Sequence, residues 1–395
     1  MRAKYIELLA PAGDLDRLKA ALIYGADAVY IGGKFLSLRS AANNFTLEDI
    51  KEGVDFAHSL NKKVYVTCNM VLHKEDQIDV LGYLKSLKDI GVDAIITSSM
   101  YIIKLNKEVG LDIHISTQLS TLNSMAVSTY KEMGATRVVL GRELDLYEIK
   151  EICDRSDVEI EVFIHGGMCS SYSGKCMLSN IMTDRDANRG GCAHSCRWKY
   201  HLFDNEKQLF SNEDYFSMSS KDLCTLKEIP SLIESGVTSL KIEGRMKSLN
   251  YLAFIVSTYR RCIDDYLNNK QMDFDSYFNN LIYAENRLTS HGFMHGNVTV
   301  NEMLYDLDHD FTNAGNYIGI VRKVDEKYAY LEVKNKIIKN NQYYKYSPIG
   351  ELEKITILEM YLDDKEVDIY TVAGDILKIK CDKPLHEYDI INLIK

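Results

Sequence analysis

The feature that most constrains this chain is a repeat. Eight short apolar runs occur between residues 5 and 245, most of them separated by a segment with helical spacing. They are "YIELLAPAG" (5–13), "ADAVYIGG" (26–33), "KKVYVTCNMV" (62–71), "VDAIITSS" (92–99), "DIHISTQL" (112–119), "ATRVVLGREL" (135–144), "VEIEVFIHGG" (158–167) and "VTSLKIEGR" (237–245). Between them, segments such as "TLEDIKEGVDFAHSL" and "QIDVLGYLKSLKDIG" repeat apolar residues at helical intervals. Gly25, Gly91, Gly134 and Gly236 each lead straight into a following run. Glycine suits the left-handed end of a helix, and an unbroken apolar run suits a strand buried on both faces. An open doubly wound sheet would also alternate in this way. Eight units followed by one more helix (249–268) match a TIM barrel, which takes about 250 residues. The expected fold class is α/β: a TIM (β/α)8-like barrel with a long Cys-containing insertion after strand 7, plus a small C-terminal all-β domain.

The chain divides accordingly. Residues 1–269 form the expected catalytic barrel, with a cluster-binding insertion at 168–218. Residues 270–312, rich in Asn and Tyr, form a connector. Short alternating runs such as "YAYLEVK" and "EKITILEMYL" then mark a small β-barrel domain at 313–395. The seventh helix is expected to begin only near 219, so roughly 50 residues stand where a βα loop normally has a few. In a barrel the strand C-terminal ends build the active face. Asn69, Gln118, Arg142, Glu143, His165 and Arg245 all fall at such ends.

The insertion holds Cys169, Cys176, Cys192 and Cys196, four of nine cysteines. The N-terminus lacks a signal-peptide core, and no apolar run approaches the roughly 20 residues that span a bilayer. A cytoplasmic protein with no membrane partner is therefore expected, and a disulfide framework is not. The C-x6-C-x15-C-x3-C spacing has only one close pair, whereas structural zinc sites use two. An iron–sulfur cluster suits it better, with zinc and unliganded or redox thiols as the alternatives. Cys224, in "SKDLC", is a substitute fourth ligand. The net charge of −10 excludes a basic coat over the whole surface. Locally, Arg185, Arg189, Arg197 and Lys199 stand beside Trp198 against one acid, Asp186. Such a mixture suits phosphates and an extruded base, or a plain solvated loop.

The stretch "EVFIHGGMCSSYSGKCMLS" resembles the signature of the U32 family, once classed as peptidases or collagenases. "LLAPAGDLDRLKAALIYGADAVYIGG", "LRSAANNF", "STQLS", "NRGGCAHSCRWKY", "SKDLC" and "SLKIEGRMKS" match the family in the same order. The resemblance implies hydroxylation of RNA or of a quinone precursor rather than proteolysis. Its branches act on the wobble uridine of tRNA, on a cytidine of 23S rRNA, or on ubiquinone precursors. The length and the C-terminal domain look most like the tRNA branch, which depends on prephenate. The resemblance also implies a [4Fe–4S] cluster on Cys169, Cys176, Cys192 and Cys196. On this reading Arg142 and Arg245, with Asn69 and Gln118, would bind a small dicarboxylate co-substrate such as prephenate. His165 or Glu143 would move protons. Arg185, Arg189, Arg197, Trp198 and Lys199 would hold the tRNA anticodon loop.

The rival reading is a protease. Neither an H-E-x-x-H zinc motif nor a G-x-S-x-G elbow occurs. A Cys169–His165 pair could serve a cysteine protease, but three further thiols nearby would draw a metal onto the nucleophile.

Overall fold

The computed structural model describes residues 5–38, 44–76, 79–209, 215–284, 287–296, 298–300, 316–348, 350 and 352–393. Part of the "LRSAANNF" motif (39–43) and of the connector (301–312) lies outside them. So do residues 313–315, 349, 351, 394 and 395 of the expected C-terminal domain.

Eight parallel strands close into a barrel: β1 (Glu7–Pro11), β2 (Ala28–Gly32), β3 (Lys63–Cys68), β4 (Ala94–Thr97), β5 (Asp112–Ile115), β6 (Arg137–Val139), β7 (Glu159–Gly166) and β8 (Ser239–Ile242). Each pairs with its sequence neighbour, and β8 bonds to both β1 and β7, which closes the ring and excludes the open sheet. The helices are α1 (Leu15–Ile23), α2 (Leu47–Ser59), α3 (Val80–Ile90), α4 (Met100–Asn106), α5 (Ser124–Glu132), α6 (Leu146–Asp154), α7 (Ile229–Glu234) and α8 (Leu249–Leu267). Their starts are set by side chains. Thr46 and Asp49 form a capping box on α2, and Asp145 and Glu148 form one on α6. Gly25, Gly91, Gly134 and Gly236 all take positive φ, as expected of residues that turn a helix into a strand.

The region after β7 differs from its expected form. Residues 219–228 are not helical. Asp222–Cys224 instead runs antiparallel to β7, pairing Leu223 with Gly166 and Cys224 with His165, and α7 begins only at Ile229. The helix-like spacing of "KDLCTLKEI" is overridden because β7 extends past the barrel and offers an edge to pair with. Thr289–Ser290 then adds in parallel to Asp222–Leu223, bringing the chain after α8 back over the barrel mouth.

The C-terminal strands form an antiparallel ring in the order Gln342–Tyr346, Ile390–Leu393, Asn316–Val324, Ala329–Val333, Ile376–Cys381 and Leu352–Leu362. The last of these pairs back to the first. The ring encloses its own core, including Ile318, Leu331, Ile357 and Leu377. It docks on α1 and α8. Arg322 bonds both oxygens of Asp16 at 2.6 Å, Tyr24 donates to the carbonyls of Tyr346 and Tyr388, and Tyr346 stacks on Phe254 at 3.9 Å.

Candidate active site

The barrel interior is layered. At the bottom lies a buried ionic network. Arg137 reaches Glu7 at 3.2 Å, Glu161 at 3.1 Å and Glu159 at 2.8 Å, and Lys241 bonds Glu161 at 2.7 Å. Tyr65 and Ser239 donate to Glu7 at 2.6 and 2.8 Å. Burial alone would raise the Glu7 carboxyl, but Arg137, Tyr65 and Ser239 outweigh it and hold it below its ordinary value. Burial lowers Lys241, against the opposing pull of Glu161. His114, on β5, is held well below its usual range by burial next to Arg137, so it stays neutral. Above this layer Leu9, Ala28, Tyr30, Ala94 and Ile96 pack the centre.

At the C-terminal strand ends the interior opens into a cavity of about 450 Å³. It unites Asn69, Gln118, Arg142, Glu143 and Arg245 with the thiols of Cys169, Cys192 and Cys196 and with Arg197. Arg245 is buried and donates to Ser37 at 3.0 Å and Thr67 at 3.3 Å. A Cβ added at Gly32 would lie 2.2 Å from its guanidinium, so a larger residue there would push Arg245 out of this position. Arg142 lies 3.8 Å from the centre of the Phe163 ring and donates to the Gly167 carbonyl at 2.6 Å. That holds one guanidinium over an aromatic wall. Gln118 accepts from Asn69 and from Ser116, both at 2.8 Å. Glu143 accepts from the Ser173 N–H at 2.5 Å and its hydroxyl at 2.9 Å, so the insertion itself orients this carboxylate.

The insertion arches over the cavity. It carries a short helix, Leu178–Thr183, and winds tightly through left-handed backbone at Ser173, Asp184 and His194. Cys169 interacts electrostatically with both Cys196 and Cys176. Burial pushes the Cys169 thiol up, while a hydrogen bond to the His194 side chain brings Cys192 down to about 7. Among the described residues no three His, Cys, Asp or Glu side chains stand close enough to form a finished metal site. The four thiols are gathered on one arch but not closed around a point. What fits a metal cluster is the donor chemistry: four sulfurs on a sharply turning loop at the edge of a polar cavity.

Three residues sit elsewhere than expected. His165 is buried behind β7, where its Nδ1 meets the Tyr259 hydroxyl at 3.2 Å, and it does not line the cavity. A bulge opposite Lys241–Ile242 interrupts the strand alternation at Phe163–His165, so counting by twos along β7 misplaces it. The Cys169–His165 pair that a protease would need is therefore not assembled. Cys224 lies in the barrel core beside Tyr259, 3.7 Å from its hydroxyl, away from the cavity lining. Its antiparallel pairing with His165 fixes it there. Arg189 is a strut rather than an open cation. It bonds both oxygens of Asp76 at 2.6 and 2.7 Å and the Val71 carbonyl at 2.9 Å, tying the insertion to the loop after β3. Asp76 is held well below its usual range chiefly by these bonds from Arg189. Arg189→Ala is expected to speed limited proteolysis within 168–209 several-fold while leaving the barrel's melting temperature nearly unchanged. Arg185, Trp198 and Lys199 are exposed and are not among the residues lining the cavity, and Lys199 lies over the Tyr215 ring at 5.2 Å.

Sequence reasoning passed over several lining residues. Lys241, Phe163, Tyr30, Asp222 and Phe293 all face the cavity. Asp222 is held by Arg287 at 3.2 Å, and Phe293 arrives from the segment after α8. Inward charges could have been flagged, because Glu7, Arg137, Glu161 and Lys241 interrupt otherwise apolar strands. Phe293 left no such signal, since it reaches the site only through the Thr289–Ser290 pairing.

The model of the U32 peptidase family matches residues 13–304, and that of the family's C-terminal domain matches 314–392. The chain is 42% identical over 392 residues to a Bacillus subtilis protein named "tRNA hydroxylation protein P1", covering 96% of this chain and 93% of that one. It is 39% identical to a 23S rRNA 5-hydroxycytidine synthase of Escherichia coli, over 66% of this chain and 39% of the relative. A protein of Porphyromonas gingivalis named "Collagenase" is 34% identical over 68% of both chains. With a closed barrel, a thiol-bearing arch after β7 and the two family models together matching most of its length, the chain belongs to peptidase family U32.

Proposed function

We propose that this chain is an RNA-modifying enzyme that hydroxylates C5 of the wobble uridine in tRNA. The observation that carries the reading is one cavity that joins three cysteines of the arch to a fixed pair of guanidinium groups. The names of the Bacillus subtilis and Escherichia coli relatives support hydroxylation of RNA as the class of reaction. The anticodon loop is single-stranded, so its base can be extruded into the barrel mouth at little cost. Arg185, Arg197 and Lys199 would neutralise phosphates from the arch side. Arg142 and Arg245 are pre-oriented by Phe163, Ser37 and Thr67, and they would bind a prephenate-like dicarboxylate through paired hydrogen bonds. Asn69 and Gln118, locked to each other, would fix its polar edge. Glu143, which lines the cavity and is oriented by Ser173, would accept the proton released at the reacting base.

Cys169, Cys176, Cys192 and Cys196 would hold a [4Fe–4S] cluster, which when bound supplies one-electron chemistry at the cavity edge. Among the described residues no helix is long and apolar enough to cross a membrane. That suits work in the cytoplasm, where tRNA is found.

Nucleoside analysis of tRNA from a strain lacking the gene tests the reading. The 5-hydroxyuridine derivatives are expected to fall to background and to return on complementation. Unchanged levels in a strain with no second family member would defeat it.

A further inference from the structure

The two ends of the barrel differ sharply in what they show to solvent. At the end from which the strands enter, Tyr5 and Leu60 are the exposed large apolar side chains among the described residues. At the cavity end, Phe35, Val71, Tyr101, Met125, Tyr147 and Met246 are exposed on the barrel's own loops and helix starts. The arch adds Tyr172 and Trp198. A concentration of exposed apolar groups on one face marks an interaction surface. The aromatic members, Phe35, Tyr101, Tyr147, Tyr172 and Trp198, are 40 to 77% exposed. Their positions follow from the topology. Tyr101 and Tyr147 are the second residues of α4 and α6, and each of those helices starts at the cavity end of a strand. Phe35 follows β2, held edge-on by Tyr83 at 5.8 Å. Tyr172 both lines the cavity and reaches solvent, so the surface is continuous with the site.

We infer that these rings form a stacking platform for the unpaired nucleotides of an RNA loop on either side of the base that enters the cavity. The inference rests on the RNA reading above, and it assigns the grip to aromatic rings of the barrel rim, Phe35, Tyr101 and Tyr147, together with Tyr172 and Trp198 of the arch, rather than to the arginines alone. Charge favours an anionic occupant over a second copy of this acidic chain, and stacking rings single out an unpaired nucleic acid among anions. Residues 167–201 carry five basic side chains against two acids in a chain of net charge −10. On the opposite rim, residues 98–103 and 116–130 carry no acid to repel a phosphate. Aromatic faces accept any base, so the platform would recognise looped, unstacked RNA rather than a particular sequence.

Binding to the full-length chain tests this without turnover, using a synthetic anticodon stem–loop RNA and a blunt duplex of similar length as probes. Tyr101→Ala and Tyr172→Ala are each expected to weaken stem–loop binding roughly tenfold, with duplex binding unchanged and Tyr101→Phe close to the original affinity. Both residues are exposed, and unchanged melting curves would show that the variants fold. Stem–loop binding that survives the double alanine variant would overturn the inference. So would an equal loss for loop and duplex, or a change only in the sedimentation of the protein, which would mark the face as a contact between proteins. Ring-dependent loop binding without any nucleoside change in the deletion strain would leave the platform standing and sink the hydroxylation reading. Hydroxylation that persists in the double variant with unaltered RNA affinity would do the reverse.

Discussion

Arg137→Met should destabilise the barrel by about 3–5 kcal/mol, a large share of the roughly 5–15 kcal/mol that holds a typical protein folded. Arg137 is nearly fully buried and is the shared partner of Glu7 and Glu161, which are buried as well. Removing it leaves two carboxylates in the barrel floor with Lys241 as their remaining cation in the network, and Lys241 bonds Glu161. The penalty is that of an uncompensated charge, not the worth of an ion pair. Glu7→Gln combined with Arg137→Met should therefore recover part of the loss. A urea midpoint for each variant reads this directly, and equal midpoints for the single and double variants would contradict it. The pH dependence has a definite sign. Glu7 is held below its unfolded value of about 4.3, so its contribution is complete above that pH. It fades as the pH falls through the lower folded value, and Arg137→Met should flatten the curve in that acid window.

Serine in place of any one of Cys169, Cys176, Cys192 or Cys196 should lower RNA hydroxylation by more than about 100-fold, beyond the loss typical of perturbing a ligand's supporting residues. Cys224→Ser should retain both activity and bound iron, because Cys224 packs against Tyr259 in the core rather than on the arch. This pair of outcomes separates a ligand from a buried small residue. Complementation of the deletion strain, read by tRNA nucleoside analysis, measures the first. Iron content of the purified variants measures the second.

The barrel was legible because each βα unit repeats the same local chemistry. An apolar run, an amphipathic helix and a glycine such as Gly91 recur, and their number decides between a closed and an open sheet. The arch was legible as an anomaly of length, and its cysteines as an anomaly of composition. What could not be read were features set by pairing between distant segments. His165 turned from the cavity because of a bulge against β8, and Cys224 was fixed by a strand where helical spacing suggested a helix. Arg189 looked like a phosphate ligand until Asp76, more than a hundred residues away in sequence, proved to be its partner. Arg142, Arg245, Asn69 and Gln118 do meet in one cavity, since strand ends in a barrel converge whatever their spacing in sequence.

The central claim is that the arch over the barrel mouth carries an iron–sulfur cluster beside an RNA-binding cavity. The most direct measurement is the absorption spectrum of the full chain purified without oxygen, with iron, sulfide and zinc counted on the same sample. The expected protein is brown, absorbs broadly in the blue, and holds about four iron and about four sulfide per chain. A colourless protein with one zinc per chain and no sulfide would contradict the account.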